Sequence, residues 1–550
     1  DGLQVTLLDG VTMTPVVNEI NFAALTNPAT TAGGGMYSFD DLPPGQYIVQ
    51  FAVPVPTPDP WYPTQSAIET DGSDVNNDSD AENDALAPNY LQSHLIILNS
   101  GDTDEADKID AGFFQASIIG DMVWEDVNGN GVQDGCEIGL DGVIVSLVDV
   151  MGAPVNGADG QPVLDQMTMG GGMYQFMLVA PGDYRVEFDL PAAIGGVQWY
   201  PTEFTLGDTD MTDPDTDSDA NNDPGDVNYL RSHVINIVSG EVDEQMRIDA
   251  GFWLPAMIGD NVFCDENGNG IDDDGAGGVD IVDVRLIYTN TGATALDADG
   301  TNLTTTTAGG GMYMFELVPP GNYIVEFSLT AATPSPPFVF TAQYDPDGLG
   351  DDFSDSDVDP NPFGGTLGQT EAFDVISQDT DHEMRWDAGV YQTIEIVGTI
   401  WLEDDANNMF KGETGPSGVL VELLTADGSK VDEFTTNQGD YGFNGIAPGD
   451  YIIRFDVTGT PIESATPCPG SNDPNDMVDN DDNGTDNPMV ETAPFTLLSN
   501  CDPNNPPNVN YIDFCYFFDC NDENALAATA CSDIQTIDII CDIATLGTYC

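Results

Sequence analysis

The segment Pro181-Gly182-Asp183-Tyr184-Arg185-Val186-Glu187-Phe188 decides the fold of this chain. Tyr184, Val186 and Phe188 alternate with charged residues, and this period of two places the apolar side chains on one face of a β-strand. The Pro-Gly pair before them fits the central positions of a type II turn, in which the glycine takes a positive φ. The segment therefore predicts a turn that leads into a half-buried strand.

The same turn and strand recur three more times, at Pro44-Gly45-Gln46-Tyr47, Pro320-Gly321-Asn322-Tyr323 and Pro448-Gly449-Asp450-Tyr451. A Gly-Gly-Gly-Met-Tyr motif precedes three of the four turns, and an Asp-Ala-Gly motif follows each of those three. This regularity predicts tandem repeats. We predict four repeats, called repeats one to four, and a Cys-rich tail, with the bounds 1–116, 117–253, 254–390, 391–517 and 518–550.

Several short strands per repeat, without a sustained helical period, predict an all-β fold in which each repeat is an immunoglobulin-like sandwich of two sheets. Repeats two and three open with Ile119-Gly120-Asp121 and Ile258-Gly259-Asp260, whereas Asp1-Gly2-Leu3 aligns with Asp141-Gly142-Val143. Repeat one therefore lacks the first strand. We expect something outside this sequence to complete its sheet, because an open edge leaves backbone groups unpaired.

The charge balance is strongly acidic, with 9 Lys+Arg against 96 Asp+Glu and a formal net charge of -87. Such a chain repels phosphate, so we expect cations rather than nucleic acid or an anionic membrane as partners. No apolar run reaches the roughly 18 residues of a membrane helix, which predicts no membrane insertion of this segment. The chain opens at Asp1 without an initiator methionine, so we expect a removed leader or an excerpt of a longer polypeptide.

A calcium-type loop lies early in repeat two, between Asp126 and Glu137. It matches the twelve-residue EF-hand loop at each keyed position, with a glycine at the sixth position for the sharp turn. A solvated Asn/Gly turn is the alternative, but hard oxygen ligands at alternate positions favour a Ca2+ site on a β scaffold. The predicted ligands are Asp126, Asn128, Asn130, Val132 through its carbonyl, Asp134 and Glu137.

Repeat three carries a second copy of this loop. Its predicted ligands are Asp265, Asn267, Asn269, Ile271 through its carbonyl, and Asp273. The twelfth position is Ala276, so the bidentate glutamate is lost and we expect a lower calcium affinity, with Asp272 or Asp274 as a substitute. The counterpart in repeat four, 404–409, lacks the glycine and the spacing and predicts a weak site at most.

A second acidic cluster occurs later in each repeat, with carboxylates at every second position. In a strand they would line one face and repel one another, by roughly 1 kcal/mol per pair in water at about 4 Å and about 4 kcal/mol at intermediate dielectric. Bound cations would relieve that repulsion, and a disordered acidic loop is the alternative. We conjecture that the aspartate of each closing Asp-Ala-Gly reaches the same ions. The cluster residues predicted to bind ions are Asp78, Asp80, Asp217, Asp219, Asp355 and Asp357.

Four features together resemble the SdrD-type B domains of bacterial surface proteins. They are the opening Gly120-Asp121-x-Val123-Trp124 with the loop after it, the Pro-Gly-x-Tyr turn, the Asp-Ser-Asp run and the closing Asp-Ala-Gly. Those domains are similar to the B-type sandwiches of collagen-binding adhesins. The resemblance covers about residues 1–517. It implies calcium-binding sandwiches that form a rigid stalk at the cell surface, outside the cell.

The nine cysteines are unevenly distributed, because Cys136 and Cys264 stand alone in the repeats and seven follow from Cys468 onward. An oxidising exterior favours disulfides in the tail, with a zinc site as the rival interpretation, and the pairing stays open.

No nucleophile elbow, P-loop or zinc-protease motif occurs, so we predict that the chain is not an enzyme. A structural or surface role is assigned to the three histidines, His94, His233 and His382.

Two functions are consistent with these observations. The first is a secreted or cell-surface structural protein, a stiff calcium-stabilised rod, stalk or filament, in which the chain forms a homo-polymer or continues in a longer repeat chain. The second is an adhesin that binds a host protein or glycan through one face of the repeats. The recurring pairs Trp61-Tyr62 and Trp199-Tyr200 are its candidate surfaces.

Overall fold

The structure is a computed structural model, and all its regular elements are β-strands within the residues that it describes. Those residues are 1–17, 24–54, 60–64, 79–83, 90–101, 109–202, 217–220, 230–240, 248–330, 337–343, 354–358, 366–380, 385–402, 415–460, 462, 466–467, 489–499, 501 and 509–517. The predicted tail and the repeat-four segment 404–409 lie outside them. The chain divides into two compact units, Asp1–Leu254 and Pro255–Cys550. The finer division into four repeats stays a prediction and supplies the names used below.

Repeat one forms a six-stranded sheet and a two-stranded sheet. The six-stranded sheet has the order β2-β1-β3-β6-β5, with β7 also paired to β3, and β4 pairs with β8. The strands are β1 (Gln4–Asp9), β2 (Ala29–Thr30), β3 (Gly45–Ala52), β4 (Trp61–Pro63), β5 (Ala81–Asn83), β6 (Tyr90–Ser93), β7 (Ile96–Leu98) and β8 (Phe113–Gln115).

Repeat two is a sandwich of two four-stranded sheets, with the orders β11-β10-β13-β15 and β12-β9-β16-β14. Its strand β13 is the one that the opening segment predicts, and Tyr184, Val186 and Phe188 are buried in the core between the sheets. The predicted positive φ at Gly182 was wrong, because Gly182 is already the first residue of the strand. The strands are β9 (Ser117–Glu125), β10 (Ile144–Asp149), β11 (Gln166–Met167), β12 (Met173–Val179), β13 (Gly182–Phe188), β14 (Tyr200–Pro201), β15 (Ile235–Ile237) and β16 (Ala250–Trp253).

Repeat three has the same arrangement, with the sheets β20-β17-β25-β22 and β19-β18-β21-β23, and with β24 paired to β21. The strands are β17 (Ala256–Cys264), β18 (Asp283–Tyr288), β19 (Thr304–Thr306), β20 (Met312–Val318), β21 (Gly321–Ser328), β22 (Phe338–Phe340), β23 (Leu367–Gln369), β24 (Phe373–Val375) and β25 (Ala388–Gln392).

Repeat four follows the same plan, with the sheets β29-β26-β35-β31 and β28-β27-β30-β32, β34 paired to β26 and β33 paired to β30. The strands are β26 (Ile394–Leu402), β27 (Leu420–Thr425), β28 (Lys430–Thr435), β29 (Asp440–Ile446), β30 (Gly449–Asp456), β31 (Thr466–Pro467), β32 (Met489–Glu491), β33 (Phe495–Leu497), β34 (Val509–Tyr511) and β35 (Phe514–Phe517).

In repeats two, three and four, the first and last strands run parallel to each other. In repeat two, β16 pairs with β9 in the register Ala250 with Val123 and Gly251 with Trp124. In repeat three, β25 pairs with β17 in the register Ala388 with Val262. The closing Asp-Ala-Gly of repeats two and three therefore lies beside the strand that leads into the predicted calcium loop.

The tyrosine of each Gly-Gly-Gly-Met-Tyr motif fixes this closing segment. The buried Tyr174 hydroxyl donates to the Ile248 carbonyl, the residue just before Asp249, at 2.5 Å. The Tyr313 hydroxyl makes the equivalent bond to the Trp386 carbonyl at 2.6 Å. Because a buried hydroxyl is expensive to leave unpaired, these bonds hold the closing aspartate at a defined position.

The glycines before that tyrosine pack against the exit of the predicted loop. Asp141 Oδ1 accepts hydrogen bonds from the backbone amides of Gly171 and Gly172, at 2.9 and 2.7 Å. Gly172 has φ 80°, and a Cβ atom there would collide with the Val123 carbonyl oxygen. The turn therefore requires glycine for both its conformation and its close approach.

Repeat one differs because no residues of the chain correspond to β9. The segment 37–42, which aligns with β12, contains no strand in the structure. Tyr37 and Phe39 are half-buried, whereas their counterparts Tyr174 and Phe176 are 5% and 1% exposed. Among the described residues of this repeat, the second sheet thus consists of the β4–β8 pair.

Candidate metal centre

The predicted loop of repeat two, 126–137, begins where β9 ends. The Asp126 amide donates to the Phe252 carbonyl at 2.8 Å and so extends the parallel pairing of β9 with β16. This bond carries Asp126 into the protein, and its side chain is fully buried. The loop is therefore attached to the core at its first residue.

Four donors hold the Asp126 carboxylate. Oδ1 accepts from the amides of Gly129 and Asn130, at 2.7 and 3.3 Å. Oδ2 accepts from the Gly131 amide at 2.9 Å and from the Thr202 hydroxyl at 2.7 Å. Hydrogen bonds to a carboxylate are strong, so Asp126 winds the first half of the loop around itself.

The second half of the loop is organised by Asp134 and Glu137. Asp134 Oδ2 accepts from the side-chain amides of Asn128 and Asn130, at 2.8 and 3.1 Å. The Glu137 carboxylate accepts from the Val127 amide at 2.7 Å and from the Asp134 amide at 2.9 Å. Burial raises the pKa of Glu137 above its ordinary value. The predicted side-chain ligands thus lie in one connected network.

The loop of repeat three starts in the same way. Asp265 is fully buried, and its carboxylate accepts from the amides of Gly268, Asn269 and Gly270 at 2.6, 3.2 and 2.8 Å. Asn267 Nδ2 donates to Asp273 at 3.2 Å, as Asn128 does to Asp134 in repeat two. The predicted ligands of this loop are therefore brought together as well.

The two loops close differently. Asp274 in repeat three accepts from the Asn267 amide at 3.1 Å and from Asn267 Nδ2 at 2.7 Å, which is the bridging position that Glu137 has in repeat two. Asp272, the other aspartate considered as a substitute, has its amide bonded to the Ser354 carbonyl at 2.7 Å. The bridging carboxylate of this loop is therefore Asp274.

The Asp-Ser-Asp segment lies directly against the loop. Val132 forms a β-bridge with Asp217, and the Ser218 amide donates to the Gly131 carbonyl at 2.9 Å. Repeat three shows the same bridge between Ile271 and Asp355. The Ser218 amide binds the carbonyl of Gly131, the residue before Val132. The Val132 carbonyl is therefore not used in this hydrogen bond. The two acidic motifs of each repeat are therefore one contiguous region, called the acidic site below.

The serine between the two aspartates connects the acidic site to the closing Asp-Ala-Gly. Its hydroxyl accepts from the glycine amide of that motif at 3.1 Å in repeats two and three and at 3.2 Å in repeat one. The sequence analysis did not assign this serine a role. Its recurrence between two aspartates was the available signal. The three serines are Ser79, Ser218 and Ser356.

A cluster of buried carboxylates completes the acidic site of repeat two. The Asp249 amide donates to Asp219 Oδ2 at 2.7 Å, and the Asp219 amide donates to the Asp249 carbonyl at 2.8 Å. Asp121, from β9, is 7% exposed. Burial, together with the charges of Asp121 and Asp219, raises the pKa of Asp249 well above its ordinary value.

Repeat three repeats this cluster with Asp260, Asp357 and Asp387. The Asp387 amide donates to Asp357 Oδ2 at 2.7 Å, and Asp387 Oδ1 accepts from the Asn261 amide at 3.0 Å. Burial and the neighbouring carboxylates raise the pKa of Asp387 to about 9. Burial raises that of Asp357 to about 8 and that of Asp260 to about 6.

Repeat one shows the same contact in part, since the Asp110 amide donates to Asp80 Oδ2 at 2.7 Å. Asp78 lies outside the described residues. The structure thus brings the closing aspartates Asp110, Asp249 and Asp387 to the predicted cluster. Asp121 and Asp260 were missed as members, although each occupies the same place in the recurring Ile-Gly-Asp opening.

The donors of the acidic site fit a hard cation. They are carboxylate, amide and carbonyl oxygens, the ligand types that Ca2+ takes. In the part of the chain that the structure describes, no three His, Cys, Asp or Glu side chains form a ready cage for a metal ion, so the predicted set depends on amide and carbonyl oxygens too. The raised pKa values of Asp249 and Asp387 show what burying these charges costs, and a bound cation lowers that cost.

Other predicted residues have different surroundings. Cys264, which was expected to stand alone, forms a disulfide with Cys501, whereas Cys136 is an exposed free thiol. His233 Nδ1 lies 3.4 Å from Asp219 Oδ1.

Trp199, a candidate of the adhesin hypothesis, is 3% exposed and packs in the core, so it offers no binding surface. Among the described residues no helix has the length and apolarity needed to cross a membrane.

A family model for the SdrD B-like domain matches residues 117–252, 256–390 and 395–505, which together exceed half of the chain. The chain belongs to the SdrD B-like domain family. This confirms the predicted resemblance and the tandem immunoglobulin-like sandwich fold. It also places the SdrD B-like chain at the cell surface, as the sequence predicts.

Relatives of this SdrD B-like chain are serine-aspartate repeat-containing proteins. Protein F of Staphylococcus epidermidis is 30% identical over 436 residues, which is 78% of this chain and 21% of the relative. Protein D of Staphylococcus aureus strain MW2 is 28% identical over 477 residues, 85% of this chain and 29% of the relative. The chain therefore spans less than a third of the length of these curated relatives, and it is similar to cell-surface proteins of structural or adhesive type.

Solved structures with a likeness include BcpA, the major pilin subunit of Bacillus cereus. It is 12% identical, with 73% of this chain and 99% of that chain covered and a TM-score of 0.23. The Bacillus anthracis TIE protein is 10% identical, with 94% and 69% covered and a TM-score of 0.25. The absence of catalysis stays a prediction.

Proposed function

We propose that this SdrD B-like chain is part of a stiff cell-surface stalk whose repeats are stabilised by Ca2+. The observation that supports it best is the β-bridge between loop and acidic segment, Val132 with Asp217 and Ile271 with Asp355. It gathers carboxylates from three distant parts of the sequence into one region. Folding such a region without a counter-charge is costly, and a divalent cation is the simplest remedy.

The loop ligands in repeat two are the residues predicted from the sequence. Asn128 and Asn130 both direct their amides at Asp134, within 3.1 Å. Calcium takes oxygen ligands at about 2.3–2.6 Å, so its ligand groups must lie close to one another, as these groups do. The side-chain oxygens of Asn128 and Asn130 accept from the backbone amides of Asn130 and Val132, at 3.0 and 2.8 Å, and the second lone pair of each oxygen remains for a bound ion. In repeat three the same roles belong to Asn267, Asn269 and Asp273, with Asp274 added.

The second group of ligands is the buried cluster. Asp217 and Asp219 in repeat two, and Asp355 and Asp357 in repeat three, would hold a cation together with the closing aspartates. When bound, Ca2+ supplies positive charge at the point where the first and last strands of the repeat meet. Each filled site at millimolar calcium adds on the order of 1–3 kcal/mol to folding.

Stiffness is supported by the contacts between successive repeats within each compact unit. The Gln115 amide donates to the Ser239 hydroxyl at 3.0 Å, and the Gly240 amide donates to the Gln115 carbonyl at 3.0 Å. The Gln392 amide donates to the Ser499 hydroxyl at 2.8 Å in the same way. Hydrogen bonds that bind a linker to the next repeat restrict bending. A longer repeat chain, or a polymer of it, is the expected assembly.

Calcium-dependent thermal unfolding of the full chain tests this proposal. We expect calcium to raise the midpoint relative to EDTA, and the variants Asp126→Asn and Asp265→Asn to lose much of that gain. Electron micrographs of the same samples should show extended particles with calcium and bent ones with EDTA. Asp189→Asn and Glu316→Gln are matched controls, because both carboxylates are exposed on strands or strand ends away from the acidic site.

Equal midpoints and equally straight particles with calcium and with EDTA would contradict the proposal. So would an equal loss of the calcium response in the control variants, since that would point to net charge alone. Binding of the chain to glycan arrays or host proteins, with no change in shape on calcium removal, would favour the adhesin hypothesis instead.

A further inference from the structure

A disulfide connects repeat three to repeat four. Cys264 is the last residue of β17, and Cys501 follows β33. The two are separated by 237 positions in sequence, with their Cα atoms 6.0 Å apart. The residues between them, 265–500, therefore lie in a closed covalent loop that contains most of both repeats.

Noncovalent contacts surround this bond on both sides. Cys501 Sγ lies 3.7 Å from the Val390 carbonyl, and Val390 is the β25 residue that pairs with Cys264. The Ser499 amide donates to the Glu266 carbonyl at 2.7 Å. The disulfide thus lies in a packed contact between the two repeats, where β25 leads toward the short connection into β26.

A disulfide at this place changes how the chain transmits tension. Force that enters along β17 reaches Cys264, crosses to Cys501 through the two sulfur atoms and continues into the residues after it. The peptide backbone of 265–500 runs in parallel with a much shorter covalent path and stays slack. Fully extended, that backbone would span roughly 800 Å at about 3.4 Å per residue.

We propose that Cys264–Cys501 is a mechanical staple that shields repeats three and four from tension along the chain. This rests on the proposed stalk function only in assuming that the chain is pulled. The strands that remain in the path of force are β17 on one side and β34 and β35 on the other. These strands pair in parallel with β25 and with β26, which belong to the slack loop and therefore carry no opposing load.

Repeats one and two provide the internal comparison. Their junction contains the Gln115–Ser239 hydrogen bond, which matches the Gln392–Ser499 bond between repeats three and four. At this junction, Glu241 of repeat two holds the position that matches Cys501, and the sequence contains no residue of repeat one that matches Cys264. A disulfide at the matching positions therefore cannot form between repeats one and two, and the staple is a feature of repeats three and four.

Single-molecule force spectroscopy of the full chain, tethered at both ends, tests the staple. With the disulfide intact, we expect no unfolding steps from residues 265–500. The double variant Cys264→Ser with Cys501→Ser should add two steps and roughly 800 Å of contour length. Cys136→Ser is the matched control, because it removes an exposed thiol and leaves the staple in place. Peptide mapping by mass spectrometry verifies the Cys264–Cys501 pair in each sample.

Equal contour lengths for the wild-type chain and the double variant would overturn the proposal, as would a native pairing of Cys501 with another cysteine. If the double variant folds poorly, brief reduction of the wild-type chain during the pull gives the second measurement. The length difference must persist in EDTA, because the covalent path needs no metal. Loss of the calcium response with a retained length difference would therefore refute the calcium proposal and leave the staple standing.

Discussion

The predicted calcium loops of repeats two and three start alike and end differently. Asp126 and Asp265 are both fully buried and bind the amides of the glycine turn that follows. Glu137 closes the first loop from its twelfth position, whereas Asp274 closes the second from its tenth. The bridging carboxylate therefore occupies the same place in both loops, although it comes from the twelfth residue in one and from the tenth in the other.

The loops also differ in what lies beside them. The repeat-three loop contacts repeat four, since the Ser499 amide donates to the Glu266 carbonyl, and a Cβ atom on Gly268 would lie 3.2 Å from Pro448. Val127, the residue of repeat two that matches Glu266, instead donates its amide to Glu137 within the loop. One loop is closed by its own glutamate, and the other is supported by a neighbouring repeat as well.

The largest expected effect comes from calcium removal combined with pH, in repeat three. The folded-state pKa values of Asp357 and Asp387 are about 8 and 9, well above an unfolded value near 4. The metal-free folded state therefore binds protons more tightly than the unfolded state. The stability that these two carboxyl groups contribute to the metal-free fold is fully present below about pH 4. It is lost as the pH rises through 8 to 9.

In EDTA, repeat three should therefore become more stable when the pH falls from 9 to 6, by an amount on the order of a few kcal/mol. With calcium the trend should reverse, because protons then compete with the cation. Hydrogen exchange followed by mass spectrometry, read separately for peptides of each repeat, measures it. A metal-free repeat three that is most stable at pH 9 would show that these carboxylates are not costly when charged.

The second prediction separates the structural part of the first ligand from its metal part. Asp126→Ala in EDTA leaves three amides and the Thr202 hydroxyl without their acceptor, and we expect repeat two to lose about 3–5 kcal/mol. Asp265→Ala removes three amide bonds, and the Thr341 hydroxyl, which matches Thr202, has no hydrogen-bond partner among the described residues. The loss in repeat three should be smaller by about 1 kcal/mol. Chemical denaturation followed by the same exchange measurement compares the two, and equal losses would mean that Thr202 contributes nothing.

How far the sequence predicted this site can be judged from single residues. The alternation at Tyr184, Val186 and Phe188 was sufficient for the strand because burial follows a local period. The loop ligands were found because a twelve-residue motif is also local. The contact of Val132 with Asp217 was not predicted, because the pairing depends on how the closed sandwich places two segments far apart in sequence.

Asp121 and the Cys264–Cys501 pair show the same limit. In β9 both inward-facing and outward-facing side chains flank Asp121, so the local sequence does not show which groups it contacts. Only the parallel pairing of β9 with β16 brings it to Asp249. Cys264 was interpreted as a lone cysteine because its partner lies in the next repeat. Residues far apart in sequence are brought together by the fold of a repeat or by the contact between repeats three and four, so both features needed the structure.

The third prediction concerns the closing carboxylates. Glu137→Gln removes a charge but keeps a side chain that can accept a hydrogen bond, so we expect calcium binding in repeat two to weaken by about tenfold, or about 1.4 kcal/mol. Asp274→Asn should weaken repeat three by a similar factor if it replaces the missing glutamate. Calcium titration followed by isothermal calorimetry measures both. A response to Glu137→Gln alone would show that Asp274 only organises the backbone.

The smallest expected effect is a restoration that should change little. Ala276→Glu returns the consensus glutamate to the twelfth position of the repeat-three loop. Asp274 already bonds Asn267 from that side, so the new carboxylate finds the bridging position filled and adds a like charge beside it. We expect calcium stabilisation to change by less than about 0.5 kcal/mol, a typical effect for a surface substitution. In the background Asp274→Asn the same substitution should recover most of the lost affinity, because the position is then free of negative charge. A large increase in calcium stabilisation from Ala276→Glu in the wild-type loop would contradict this expectation. It would mean that the tenth and twelfth positions can each hold a ligand, so that the two loops close at different places.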